Sequence, residues 1–202
     1  KAMAAIANTA AELRVSNHVW QKNKNVTGLY QDAANSNAPD ICPAGYLVKP
    51  VSLMPCEGYS GIKNENAWIM NMADDTDATG EVYFCNTFNV QEVTDALGNV
   101  YKVGPNTLGL ALPAGERGTF TRIDGMEMHD QIRFGIGNFK SSPTVGKFAT
   151  IEDGLLKPAD TAPTTTGELY FEIMATGTFT TGAYAAFGYV DVRAHRVITV
   201  AG

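Results

Sequence analysis

Cysteine is scarce in this chain of 202 residues, which has only Cys42, Cys56 and Cys85. These form no C-x-x-C pair and have no His-x-x-x-His partner set, which excludes a zinc ribbon. Cys42 and Cys56 close a short loop and could pair, but three thiols in a chain of this size fit a reducing compartment better than a disulfide framework. Charge is also thin, at 18% of residues, and 15 Lys and Arg against 21 Asp and Glu leave −6. That sign argues against nucleic acid as a partner, because phosphate neutralisation needs a basic surface that releases counterions. No run approaches the ~18 apolar residues that a membrane-spanning helix requires, so no membrane partner is expected. Lys1 to Ala11 lacks the apolar stretch of an intact signal peptide, since Asn8 and Thr9 interrupt its alanines. No repeat of fixed period is visible.

What is present is an ordinary globular composition, 45% hydrophobic with 20 Gly and 9 Pro. A chain of this length buries roughly 70% of its unfolded surface, enough for one full core without staples. Ala2 to Val15 is built mostly of strong helix formers and predicts a short, weakly apolar helix. Residues 16–40 are rich in Asn, Gln and Ser and show neither helical nor strand periodicity, which predicts an extended arm. Trp20 and Tyr30 stand out in it as aromatic anchors, because interfaces enrich both residue types.

After Pro43 the texture turns to short β-type runs punctuated by Gly, Pro, Asn and Asp. Strands are expected at 46–53, 67–72, 81–93, 100–103, 108–112, 118–123, 131–136, 147–151, 168–175 and 183–200. The clearest hairpin is VQEVTDALGNVYKVG, with its turn at Asp95 to Asn99. A second is expected in LGLALPAGERGTFTRI, looped at Pro113 to Gly118. KPADTAPTTTG, from Lys157 to Gly167, reads as a surface loop within one body. The fold class is therefore mainly β: an antiparallel β-sandwich or barrel over residues 41–202, with an N-terminal helical and extended arm over residues 1–40. Acidity is concentrated between Glu65 and Asp95, where seven carboxylates and no Lys or Arg give −7 against −6 for the whole chain, and this predicts one solvated acidic face.

The search for reactive constellations yields near misses. Asp75, Asp77 and Thr79 alternate oxygens ahead of Gly80 like the first half of a calcium loop, but the twelfth position is Asn86 rather than Glu, so a polar turn is the reading. Gly58-Tyr59-Ser60-Gly61 lacks the second spacer of a nucleophile elbow. His18, His129 and His195 show no metal-pair spacing, and His129 and Asp130, as strand neighbours, point to opposite faces. Gly135 to Lys140 and Gly146-Lys147 fall short of the dinucleotide and phosphate loops. Asn25-Val26-Thr27 is formally a glycosylation acceptor, a pattern common by chance. No catalytic set, metal or cofactor is expected.

NTLGLALPAGERGTFTRIDG (Asn106 to Gly125), VGKFATIEDGLLKPADTAPTTTGELYFEIM (Val145 to Met174) and the closing AYAAFGYVDVRAHRVI together resemble the small β-rich head decoration, or cement, proteins of tailed bacteriophages. Leu108 to Glu116 and Gly146 to Leu155 look like the strand and turn units of that family. The resemblance covers about the C-terminal half. It implies a non-enzymatic virion protein, made in the host cytoplasm, that binds the major capsid protein on the outside of an assembled head, with self-association into a trimer as one form. Residues 1–40 would then reach over a neighbouring subunit, anchored by Trp20 and Tyr30, and deleting residues 1–30 is expected to abolish head binding and leave the β body folded. Two other classes compete. A carbohydrate-binding or host-attachment β module would present Trp68 or Tyr59 to sugar rings, and a hydrolase would depend on Ser60 or His129.

Overall fold

A computed structural model of the chain describes residues 11–15, 25–55, 63–86, 91–94, 100–103, 111–125, 131–179 and 187–198. In chain order the strands are β1 (Ala11–Val15), β2 (Asn25–Asp32), β3 (Ala38–Pro39), β4 (Cys42–Pro43), β5 (Leu47–Pro55), β6 (Lys63–Met72), β7 (Val82–Cys85) and β8 (Gln91–Thr94). There follow β9 (Val100–Val103), β10 (Ala111–Leu112), β11 (Arg117–Ile123), β12 (Gln131–Gly135), β13 (Phe148–Glu152), β14 (Leu155–Ala159), β15 (Leu169–Phe179) and β16 (Phe187–Arg196). Among the described residues, three single-turn 3-10 segments, Ala33–Asn35, Asp75–Asp77 and Ile136–Asn138, interrupt them.

Two bodies of sheet emerge. In the first, β11 pairs with both β7 and β2, so the ring β2-β6-β5-β7-β11 closes on itself as a small barrel, and β3 is appended to the end of β2. All the ring pairings are antiparallel except β2 with β6. The second is an open antiparallel sheet in the order β1-β12-β16-β15-β13-β14.

Strand alternation explains how the two bodies share a core. In β7 all four residues are buried, because Tyr83 and Cys85 fill the barrel while Val82 and Phe84 face the open sheet. Leu47 and Ile123 join Val82 and Phe84 on the outside of the barrel wall, and Val48 and Phe120 point into it beside Tyr30 and Met70. The inner face of the open sheet, including Ile132, Phe134, Phe171, Ile173, Val190 and Val192, packs onto that wall. Phe134 makes edge-to-face contacts with Phe84 of the barrel at 6.1 Å and Phe171 of the sheet at 6.3 Å.

Polar joints fix the two bodies further. The β13–β14 hairpin turns through Asp153 (φ 50°) and Gly154 (φ 71°), a two-residue turn that needs left-handed backbone. Its tip plugs into the barrel: Gly154 donates to the Ala73 carbonyl, and its own carbonyl accepts from Leu47. Arg196 donates to the carbonyls of Asp124, Ala78, Gly167 and Gly80, tying the end of β16 to three loops. Buried Asn138 donates to the Ala44 carbonyl.

The N-terminal expectations need correction. Of the helix expected over residues 2–15, the described part is strand β1, which pairs with β12 from Ala11↔Phe134 onward. A short helix with a weak apolar face is marginal alone, and a sheet edge supplies its backbone partners instead. Residues 25–40, expected as arm, belong to the body, because β2 is a barrel wall strand paired on both sides. Deleting residues 1–30 would therefore open the barrel, contrary to the expectation that it spares the fold. The hairpin at 91–103 forms, with Gln91↔Val103 and Thr94↔Val100 in register. The second expected hairpin does not, since β10 pairs with β4 while β11 pairs with β2 and β7. The strand expected at 81–93 is β7 and β8 rather than one run.

Candidate functional site

The outer face of the open sheet is the best-organised surface among the described residues. Because side chains alternate, the strands that bury Ile132, Val192 and Phe171 inside present Arg133, Arg193 and Glu172 outside. Register sets neighbours across strands: Arg133 opposite Asp191, Glu172 opposite Arg193, Tyr170 opposite His195, and Phe148 opposite Glu172.

Each of these side chains is held. Arg133 forms a two-pronged pair with Asp191, Nε to Oδ1 at 2.6 Å and Nη2 to Oδ2 at 2.7 Å. Its guanidinium also lies 3.7 Å from the centre of the Tyr189 ring, a cation–π contact. Gly177 makes room for that ring, since a Cβ there would overlap it. Tyr170 and His195 stack with centroids 5.2 Å apart and planes 22° apart, and Phe148 meets Tyr170 edge-on at 5.9 Å. His195 Nε2 sits 3.1 Å from Glu172 Oε2. Arg193 differs from its neighbours: Nη1 is 3.9 Å from Glu172, and its buried Nε has no hydrogen-bond partner among the described residues. Met174 adds an exposed apolar side chain at the β15 bulge.

Such a face suits recognition. It carries Tyr and Arg, which dominate binding energy at protein interfaces, on rigid strands, with rotamers locked by ion pairs and ring contacts. Elsewhere the surface offers two shallow clefts of about 370 and 210 Å³. Their cations are engaged: Lys49 binds both oxygens of Asp77 at 2.8 Å, and Lys147 faces Asp160 at 3.4 Å.

The calcium-like loop folds as the polar turn expected. Asp74 caps the Asp75–Asp77 segment, Asp77 accepts from the Asp74 N–H as well as from Lys49, and Asp75 accepts from the Thr76 N–H. These carboxylates are turned onto their own backbone, and among the described residues no group of three metal-ligating side chains gathers.

The site residues expected from the sequence part company. Trp20 lies outside the described residues, as do Ser60, Tyr59 and His129. Tyr30 is no arm anchor: it is 5% exposed, inside the barrel beside Met70 and Phe120, and burial pushes its hydroxyl pKa up. Trp68 packs against the same core, so it is not a ring standing free for a sugar. Cys42 is a free thiol, so no Cys42–Cys56 bridge forms. No motif marks Arg133, Tyr170, Tyr189, Arg193 and His195 as a set. The available signal was the alternation Tyr189, Asp191, Arg193, His195 against Val190, Val192, Ala194, which names the outer face once β16 is recognised.

No protein-family model, curated protein or solved structure matches the chain.

Proposed function

We propose that this chain is a structural virion protein, a decoration or cement protein that binds the major capsid protein on the outside of an assembled phage head and stabilises it. It docks through the outer face of the open sheet rather than through an N-terminal arm. The observation that carries this reading is Arg193, a third exposed amid a locked platform of Tyr170, His195, Glu172 and Arg133, whose Nη donors make among the described residues only a long contact, 3.9 Å to Glu172. A partner that offers backbone carbonyls or carboxylates would complete those donors, and a bidentate contact of that kind is what Arg supplies best. Gly146 to Leu155, one of the phrases that carries the resemblance, runs as strand β13 into a tight turn.

Co-sedimentation with emptied, undecorated tailed-phage heads tests the reading. Saturable binding at fixed stoichiometry is expected, with occupancy lowered about ten-fold or more by Arg193→Glu or Tyr170→Ala in folded protein, the loss of one interface anchor. A folded wild-type protein that stays in the supernatant would sink the decoration reading. Binding that survives both substitutions would sink the assignment of the face.

A further inference from the structure

Cys42 and Cys85 lie together inside the barrel, both fully buried and both in the reduced, thiol form. The Cys85 sulfur is 3.8 Å from the Cys42 carbonyl oxygen, and the Cys42 sulfur is 3.9 Å from the Pro43 carbonyl oxygen. The segments that carry them differ in strength. Cys85 ends the wall strand β7, where its N–H donates to the Tyr46 carbonyl and its own carbonyl accepts from Gly45, both at 2.9 Å. Cys42 sits in β4, whose sheet pairing is the two-residue match with β10 through Leu112 and Ala111. A segment held by so short a ladder is among the first to open.

We propose that Cys42 and Cys85 are a latent disulfide, reduced in the structure and closed by a low-molecular-weight disulfide such as oxidised glutathione, which clamps the β4–β10 flap onto the barrel wall. The balance is two protein thiols plus one glutathione disulfide giving one protein disulfide plus two glutathione thiols. One protein thiolate attacks the glutathione disulfide and releases the first glutathione. The second protein thiol, giving up its proton to solvent, then displaces the other glutathione from the mixed disulfide. Burial and the contact with Cys85 push the Cys42 thiol above its ordinary range, so the nucleophilic thiolate is rare while the barrel is shut. Closure therefore follows opening of the flap. A protein folded in reducing cytoplasm would keep its thiols and gain the clamp on reaching oxidising surroundings, whatever it docks to.

The test is to unfold the reduced full chain in urea and refold it in glutathione disulfide, followed by thiol titration, peptide mapping and a melting curve. Titratable thiols should fall from three per chain to one, a Cys42–Cys85 linked peptide should appear, and Tm should rise by about 5–10 °C, as expected for closing a loop of this size in a chain of this length. The Cys56→Ser chain should close in the same way, and the Cys42→Ala chain should show neither the link nor the shift. Three thiols persisting after refolding, or a linked peptide that includes Cys56, would overturn the proposal. If a variant fails to fold, the wild-type peptide map decides alone.

Discussion

The barrel and the open sheet are built from the same kind of strand and solve opposite problems. The barrel closes β2 against β11 and leaves its ring no edge, and its interior holds Tyr30, Val48, Met70, Phe120 and two thiols, with no charged residue buried among the described residues. The sheet stays open, buries one face on the barrel wall, and keeps Arg133, Asp191, Glu172, Arg193 and His195 on the other. A closed unit has no surface to give away beyond its outer wall, so the open unit is the one that can present an ordered face. The edges of the open sheet are managed locally: β14 carries Pro158, and its Leu156 carbonyl accepts from Lys140.

The largest way to break this contrast is Phe134→Ala. Phe134 touches both bodies through Phe84 and Phe171, and its truncation should cost about 4 kcal/mol of stability. Urea unfolding should stay a single transition at a lower midpoint. Two separated transitions would mean that barrel and sheet fold independently and that the shared core is a minor term. Gly154→Ala comes next. It puts a Cβ at a residue with φ +71° and 2.8 Å from Met72 Cγ, for a cost of about 2 kcal/mol, whereas Gly115→Ala (φ +81°, open space) should cost about 1 kcal/mol. Equal costs would show that the hairpin tip is not a joint.

Titration should divide the two bodies by pH. Burial raises the pKa values of Tyr30, Tyr46 and Cys42 in the barrel, so the neutral forms are the ones folding favours. Their stabilisation is complete below the ordinary values of 9.0 for the thiol and 10.0 for the tyrosines, and it is lost as pH rises beyond them. Hydrogen bonds from Lys140 and then Lys157 lower the pKa of Glu152 on the sheet, so its contribution is complete above 4.5 and disappears as pH falls through the depressed value. Melting curves across pH should show an alkaline loss accompanied by tyrosinate absorbance and an acid loss that Lys140→Met weakens. An alkaline limb that begins below the thiol's ordinary value of 9.0 would break the assignment. The smallest stability effect is expected from Arg193→Ala, within about 0.5 kcal/mol, because among the described residues its side chain makes only a long ion contact with Glu172. A larger loss would place Arg193 in the fold rather than at the interface.

The β class, the 91–103 hairpin and the strands near 47–55, 117–123, 131–135 and 148–152 were legible because their apolar residues alternate or sit between clear turn residues. Where reading failed, tertiary pairing overrode local signal. Val26, Gly28 and Tyr30 alternate in β2, but Asn, Gln and Ser on every side mask the period, and only closure with β6 and β11 makes it a strand. Gly28 marks the closeness of that fit, since a Cβ there would lie 2.8 Å from Met70 Cγ. Alanine-rich sequence hid β1 in the same way, because helix propensity is a weak prior beside a waiting sheet edge. The proposed docking face could not be read from motifs at all. Its Arg, Tyr, Glu and His positions come from three strands, β12, β15 and β16, and only register brings them together.

The order in which those strands leave the ribosome carries one more consequence. The barrel runs through one continuous stretch, from Asn25 to Ile123, inserted between β1 and the rest of the open sheet. Ala11 is made early, but its partner Phe134 appears only after the whole barrel has been synthesised. The first strand must therefore wait, unpaired, while the whole stretch that carries the barrel strands is made. Sheet assembly then becomes the slow, late step, because so long an excursion must be closed before any contact rewards it.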